Sequence, residues 1–144
     1  MTSTHRSTRA ARKSLARRLD EADLGFDTSV LELRLARDAG NVALLSALAE
    51  AYTRQKRYAD GLALDQQLVA HAPTEPVFRY NLACSLVLTG DLDGACDALL
   101  ESFRLGYRDL EHMEQDADLR RLRTDARYAE LLERLARITR DNGN

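Results

Sequence analysis

Apolar positions recur along this chain at three- and four-residue steps, the spacing that lines one face of a helix. Ala11, Leu15, Leu19 and Ala22 form one such stripe with arginines opposite, and predict a helix from about Thr8 to Asp23 that stops at Gly25. Leu31, Leu35 and Ala39 share the face of a short second helix, Val30 to Asp38. Asp27, Thr28 and Ser29 offer its N-cap oxygens, and Gly40-Asn41 stops it. Residues 1–7 are polar with little to bury, so disorder is expected there.

Two longer segments then match each other. Residues 42–75 and 76–109 are both 34 residues long, and they align position by position. Leu48-Ala49 falls on Leu82-Ala83, Tyr58 on Leu92, Gly61 on Ala95 and Asp65 on Leu99. Two antiparallel helices approach closely only where small residues face each other. Ala49 is therefore expected to meet Gly61, and Ala83 to meet Ala95. Leu45, Leu48, Tyr52 and Tyr58 supply bulk around the first of these points, and Pro73 ends the second helix of the first copy.

A helix–turn–helix unit of this length resembles the tetratricopeptide repeat. Leu45, Leu48, Ala49, Tyr52, Gly61, Leu68 and Pro73 carry the resemblance in the first copy; Leu82, Ala83, Gly90, Ala95 and Leu99 carry it in the second. The chain departs from the family pattern at four places. Arg79 stands where a large apolar residue is usual, and Tyr107 replaces the closing proline. Lys56 occupies a usual turn glycine, and Asp65 a usually apolar site. The tail, residues 108–135, resembles the segment that closes many bacterial tetratricopeptide proteins. Asn81-Leu82-Ala83-Cys84 supplies its first part; Asp116, Asp118, Leu119, Leu122, Arg123, Asp125, Arg127, Tyr128, Leu131 and Leu132 supply the rest. Single-turn helices are expected near 109–114 and 117–122, then a final helix from about Asp125 to Arg140. Thr124 or Asp125 should cap that helix, and Leu131, Leu132, Leu135 and Ile138 should form its buried stripe. The expected fold is all-α: a short α-solenoid with a helical pair at 8–41, two repeats at 42–109 and capping helices at 110–144.

Composition agrees. Leu, Ala, Arg, Asp and Glu dominate, 44% of residues are hydrophobic, and there are only 7 Gly and 2 Pro. No apolar run is long enough to cross a membrane, and the first residues lack the apolar core of a secretory signal. Cys84 and Cys96 then read as reduced thiols of a cytoplasmic protein. The net charge of −2 conceals an asymmetry, because Arg6, Arg9, Arg12, Lys13, Arg17 and Arg18 all precede the first acid, Asp20. This basic head has three readings: a helix capping the solenoid, a nucleic-acid arm, or a transit peptide. Its apolar stripe favours the cap, and no aromatic residue precedes Phe26 to stack on a base.

Enzyme motifs are absent: no G-x-G-x-x-G, phosphate loop, G-x-S-x-G or H-E-x-x-H. No catalytic residue, cofactor or metal is expected. His71 suits a helix C-terminus. Glu111, His112, Glu114 and Asp116 lack the convergent spacing of a hard-cation site and read as a solvated turn. Cys84 and Cys96 lack further zinc ligands and read as packing residues.

The resemblance implies a protein-interaction function in a concave face lined by the first helix of each repeat. The expected lining is Ser46, Glu50 and Arg54 from one repeat and Val77, Tyr80, Asn81 and Cys84 from the next, with Ala43, Thr53, Val87 and Leu88 around them. Tyr80 would be the aromatic anchor for a partner peptide. One branch of the family clamps a peptide's C-terminal carboxylate, but only Asn81 matches that clamp and Glu50 would repel a carboxylate. A scaffold, adaptor or chaperone-like module is therefore expected. A nucleic-acid-associated factor using the basic head is the rival, and a homodimer stays open because two repeats make a short groove.

Overall fold

The computed structural model describes residues 28–143, and all regular structure among them is helical. Helix α1 covers residues 28–37. It is followed by α2 (Val42–Arg54), α3 (Tyr58–His71), α4 (Pro76–Thr89) and α5 (Leu92–Arg104). Short tail elements come next: α6 (Leu110–Gln115), a 3-10 turn (Ala117–Leu119), α7 (Arg120–Arg123) and the longer α8 (Arg127–Asp141). The disorder expected for residues 1–7 and the basic helix expected near 8–23 lie outside the described residues. No described helix is long and apolar enough to cross a membrane.

Local chemistry explains the boundaries. Asn41 was expected to stop α1, and it also starts α2: its side-chain oxygen accepts from the Leu44 amide at 3.1 Å. Asp91 does the same for α5 through Gly94 at 2.8 Å, and Asp109 for α6 through His112 at 2.9 Å. Pro76 opens α4 at a first-turn position where its missing N–H costs nothing. Three helices end with paired hydrogen bonds around a left-handed residue. In α2 the Lys56 amide donates to Thr53 and the Arg57 amide to Tyr52, at 3.0 and 2.8 Å. In α4 Gly90 donates to Val87 and Asp91 to Leu86, at 3.1 and 2.9 Å. These are the same positions one repeat period later. Lys56 takes φ 60 where its counterpart Gly90 takes φ 95, so the repeated turn imposes a conformation that lysine adopts less readily. Gly106 ends α5 in the same way, with φ 114.

Short connectors make consecutive helices antiparallel neighbours. The helices pack serially, α2 on α3, α3 on α4, α4 on α5 and α5 on α8. The close approach of α2 and α3 follows the predicted small residues, since a methyl added to Gly61 would lie 3.6 Å from the Ala49 carbonyl and 3.3 Å from the Thr53 hydroxyl. Ala83 and Ala95 are both fully buried within the α4–α5 pair. One apolar cluster joins Leu45, Leu48, Tyr52, Leu64 and Leu68, with Leu31, Leu35 and Phe78 against it. A larger one joins α4 and α5 to Met113, Leu119, Leu122, Leu131 and Leu135 of the tail. Hydrogen bonds from Tyr52 to Glu32 (2.7 Å) and from Gln55 to Thr28 (2.8 Å) tie α1 to α2.

Some details depart from expectation. Ala39 lies in the exposed turn after α1 instead of on its buried face. In α8 Leu131 and Leu135 are buried, while Leu132 and Ile138 are half-buried at the rim of the stripe. The N-cap residue of α8 is Ala126, not Thr124 or Asp125, and it makes no side-chain cap bond; Asp125 still accepts from the Arg127 amide at 3.0 Å, whereas the Thr124 hydroxyl turns back onto carbonyls of α7. Arg79 is half-buried, and its Nε has no hydrogen-bond partner among the described residues.

Overpacking the α4–α5 contact with Ala83→Leu or Ala95→Leu is expected to cost about 1–3 kcal/mol of stability. Opening a cavity with Leu119→Ala is expected to cost about 2–5 kcal/mol. Urea denaturation of each variant checks both; an unchanged Ala95→Leu midpoint would remove the basis for the close α4–α5 contact.

Candidate functional site

Where α2 and α4 lie on the same side of the packed helices, they border a cleft of about 240 Å³. Ser46, Ala49, Glu50 and Thr53 line it from α2; Tyr80, Asn81, Cys84, Ser85 and Leu88 line it from α4. Asp65 reaches it from α3, and His112, Asp116 and Asp118 from the tail. Five of the expected groove residues therefore meet: Ser46, Glu50, Tyr80, Asn81 and Cys84. Arg54 and Val77 do not. Arg54 is an exposed residue in the last turn of α2, and Val77 is exposed near the start of α4. Val87 turns into the core instead.

Tyr80 is not the exposed anchor that its groove position suggested. It is only 3% exposed. Its ring stacks on Tyr107 with centroids 4.5 Å apart, and its hydroxyl donates to Asp116 Oδ2 at 2.8 Å. The same oxygen receives the Cys84 thiol at 3.7 Å and faces His112 Nε2 at 3.4 Å. Asp116 Oδ1 accepts from the Asp118 amide at 3.0 Å, and the Asp116 backbone carbonyl accepts from Arg123 at 2.6 Å. One aspartate thus joins α4, α6, the 3-10 turn and α7.

Electrostatics sharpen the picture. Asp65 is 5% exposed. The Ser85 hydroxyl donates to its Oδ2 at 2.5 Å, and Oδ1 has no donor among the described residues. Burial pushes the Asp65 carboxyl up to about 6, and the Ser85 bond only partly opposes this. Burial, and then the neighbouring Asp116, shifts the Asp118 carboxyl upward from its ordinary value. Burial also pushes the Cys84 thiol well up, reinforced by Asp116 and Asp118, so it is a protonated, unreactive group instead of an activated nucleophile. Cys84, Asp116 and Asp118 each place one donor atom within 4.8 Å of the others, and are the described residues best grouped to meet a small cation. Cys96 is half-buried on a different face, beside Asp93 and Arg127.

The sequence pattern did not place Asp65, Ser85, His112, Asp116 or Asp118 in this cleft. A signal existed for Asp65, a carboxylate in a slot that the second copy fills with Leu99. Of the acidic run expected to form a solvated turn, His112 and Asp116 reach the cleft; Glu111 and Glu114 stay exposed outside it.

Together these features define an all-helical protein with an acid-lined interhelical cleft. No protein-family model matches the sequence, and no curated protein is detectably similar to it.

The buried carboxylate carries a pH signature. Its folded value lies above the ordinary 3.8, so ionising Asp65 costs more in the folded than in the unfolded chain. Its contribution to stability therefore falls as pH rises from about 4 through about 6, and returns on acidification. At about 1.4 kcal/mol per pH unit the penalty at pH 7 is on the order of 3 kcal/mol. Asp65→Asn is expected to gain stability over the wild type between pH 4.5 and pH 7, as read by urea denaturation across that range. A difference independent of pH would mean that Asp65 stays ionised without penalty.

Proposed function

We propose that this chain is a tetratricopeptide-type helical-repeat module that holds a peptide segment of another protein in the cleft between α2 and α4. The observation that carries the reading is the cleft itself. It is concave, and it gathers side chains from corresponding helices of the two sequence copies, Ser46 and Glu50 against Tyr80, Asn81 and Cys84. The matching turn hydrogen bonds of α2 and α4 support the repeat reading, because the two copies agree in backbone geometry as well as in sequence. Pockets between helices are a recurrent place for ligands.

Catalysis fits the site less well. Its thiol is held protonated by burial, and the nearest carboxylate oxygen already faces Tyr80, Cys84 and His112. A carboxylate clamp fits no better, since Glu50, Asp65, Asp116 and Asp118 would repel an anionic terminus. With Tyr80 buried, a partner would instead meet the polar edges of Ser46, Glu50 and Asn81 and the apolar wall of Leu88.

The reading is tested with a partner isolated by affinity capture and then titrated as a purified protein. Glu50→Ala combined with Asn81→Ala should weaken binding about tenfold or more, equivalent to about 1.4 kcal/mol, without lowering the melting temperature. Removing residues 1–14 should change affinity less than about twofold. The reverse order, with binding lost on truncation and steeply salt-dependent in the full chain, would transfer the function to the basic head.

A further inference from the structure

The charges of the cleft are not balanced from within. Glu50, Asp65, Asp116 and Asp118 line it, and no lysine or arginine does among the described residues. His112 is the one lining group able to become cationic, and it faces Asp116. Arg120 and Arg121 line the next depression, past Leu88 and Asp118, yet neither forms an ion pair with a cleft acid among the described residues. The carboxylates of Glu50 and Asp118 have no hydrogen bond or ion pair among those residues. A second observation is independent of this acidity. Asp65 is 95% buried in the packed helices; its Oδ2 accepts from the Ser85 hydroxyl, and its Oδ1 has no donor among the described residues. That oxygen is not sealed from solvent, since the orphaned buried side-chain atoms among the described residues are Arg79 Nε and the Tyr128 hydroxyl; the small exposed part of Asp65 opens into the cleft that it lines, where a donor can reach it.

Size and lining narrow the class of donor. A volume of about 240 Å³ is roughly eight waters, far more than one metal ion occupies. Ala49 and Leu88 add apolar wall beside the acids. A long side chain with an alkyl stem and a charged head fits such a lining, the stem on carbon and the head among oxygens. Resting on the peptide-binding reading above, we infer that the partner segment is basic and inserts a lysine or arginine side chain into this cleft, toward Glu50, Asp65 and Asp118. Asp116, already holding Tyr80 and Cys84, serves as the fixed wall behind that head. A lining with several carboxylates suits guanidinium particularly, because its planar fork can bond two oxygens at once.

The test is a nitrogen–proton NMR titration of the full chain with short acetylated, amidated Gly-Ala-Ser peptides that differ only in a central arginine, lysine or glutamine. Zinc chloride and magnesium chloride are titrated separately. The arginine and lysine peptides should shift the amides of Ala49, Asp65, Cys84 and Asp118, with the glutamine peptide at least about tenfold weaker. Glu50→Gln with Asp118→Asn should weaken the arginine peptide about tenfold and leave the glutamine peptide unchanged. If that pair of changes lowers the melting temperature, Glu50→Gln alone, at an exposed position, should still weaken the arginine peptide severalfold. Equal affinity for all three peptides would overturn the inference while leaving the peptide-binding reading intact. Cleft shifts with either metal and none with any peptide would overturn both readings in favour of a metal site. No cleft shift with any probe would also overturn both.

Discussion

The outer apolar face of the last long hairpin has to be covered, and much of this molecule is organised around covering it. Ala83 of α4 and Ala95 of α5 are fully buried, and Leu99, Leu100 and Phe103 of α5 are buried in one cluster that also includes tail residues. A two-helix hairpin cannot hide both of its faces by itself, so a further layer must cover one of them. The tail does this in pieces, with Met113, Leu119, Leu122, Leu131 and Leu135 all almost fully buried in one cluster with α4 and α5. Single-turn helices suit the task because each can be aimed separately, at the cost of many backbone groups left outside regular ladders. Asp116 and Arg123 repair part of that loss. Arg123 donates to the carbonyls of Met113 and Asp116 at 3.0 and 2.6 Å, and Asp116 accepts the Asp118 amide.

The cap therefore sets the electrostatics of the cleft. To pin the tail onto α4, Asp116 must reach Tyr80 and Cys84, and those residues lie on the face of α4 that borders α2. His112 and Asp118 arrive with it. A segment needed to close the apolar core thus delivers two carboxylates to a surface already holding Glu50 and Asp65. The Tyr80 ring, sandwiched against Tyr107 and tilted beside His112, joins core to cleft: its stacking is structural and its hydroxyl orients the acid. Asp116 thus serves the packing of the tail and the lining of the cleft at once, whereas the carboxylates of Glu50 and Asp118 line the cleft with no hydrogen bond or ion pair among the described residues.

Most helices were legible in the sequence because their signals are local. The three- and four-residue apolar period, Pro76 at a helix start and Gly90 at a helix end each act over a few residues. The 34-residue period also anticipated the Ala49–Gly61 approach, since a close helix crossing demands small side chains whatever surrounds it. The cleft was legible only by half. Positions on α2 and α4 were what the family resemblance implied, and that pattern does not tell whether Tyr80 is covered. Its covering depends on Tyr107 and Asp116, residues 27 and 36 positions away in the sequence. The contributions of His112, Asp116 and Asp118 were hidden for the same reason. Single-turn elements have no periodicity to read, so the direction of their side chains emerges only from packing.

Asp65 shows where such reading reaches its limit and where physical cost takes over. The residue aligned with it in the second sequence copy is Leu99, an apolar side chain that is fully buried. Ser85 supplies one hydrogen bond to Asp65, which lessens the desolvation penalty without cancelling it: the carboxyl still sits at about 6. A serine hydroxyl brings no charge, so the ionised acid remains uncompensated at neutral pH. Groups that subtract from stability in this way concentrate at functional sites. A cationic head arriving through the cleft would lower the cost of ionising Asp65, and by linkage the ionised acid would tighten the hold on that head. The same carboxylate would then weaken the free fold and strengthen the complex, which ties occupancy of the cleft to the packing of α3 against α4.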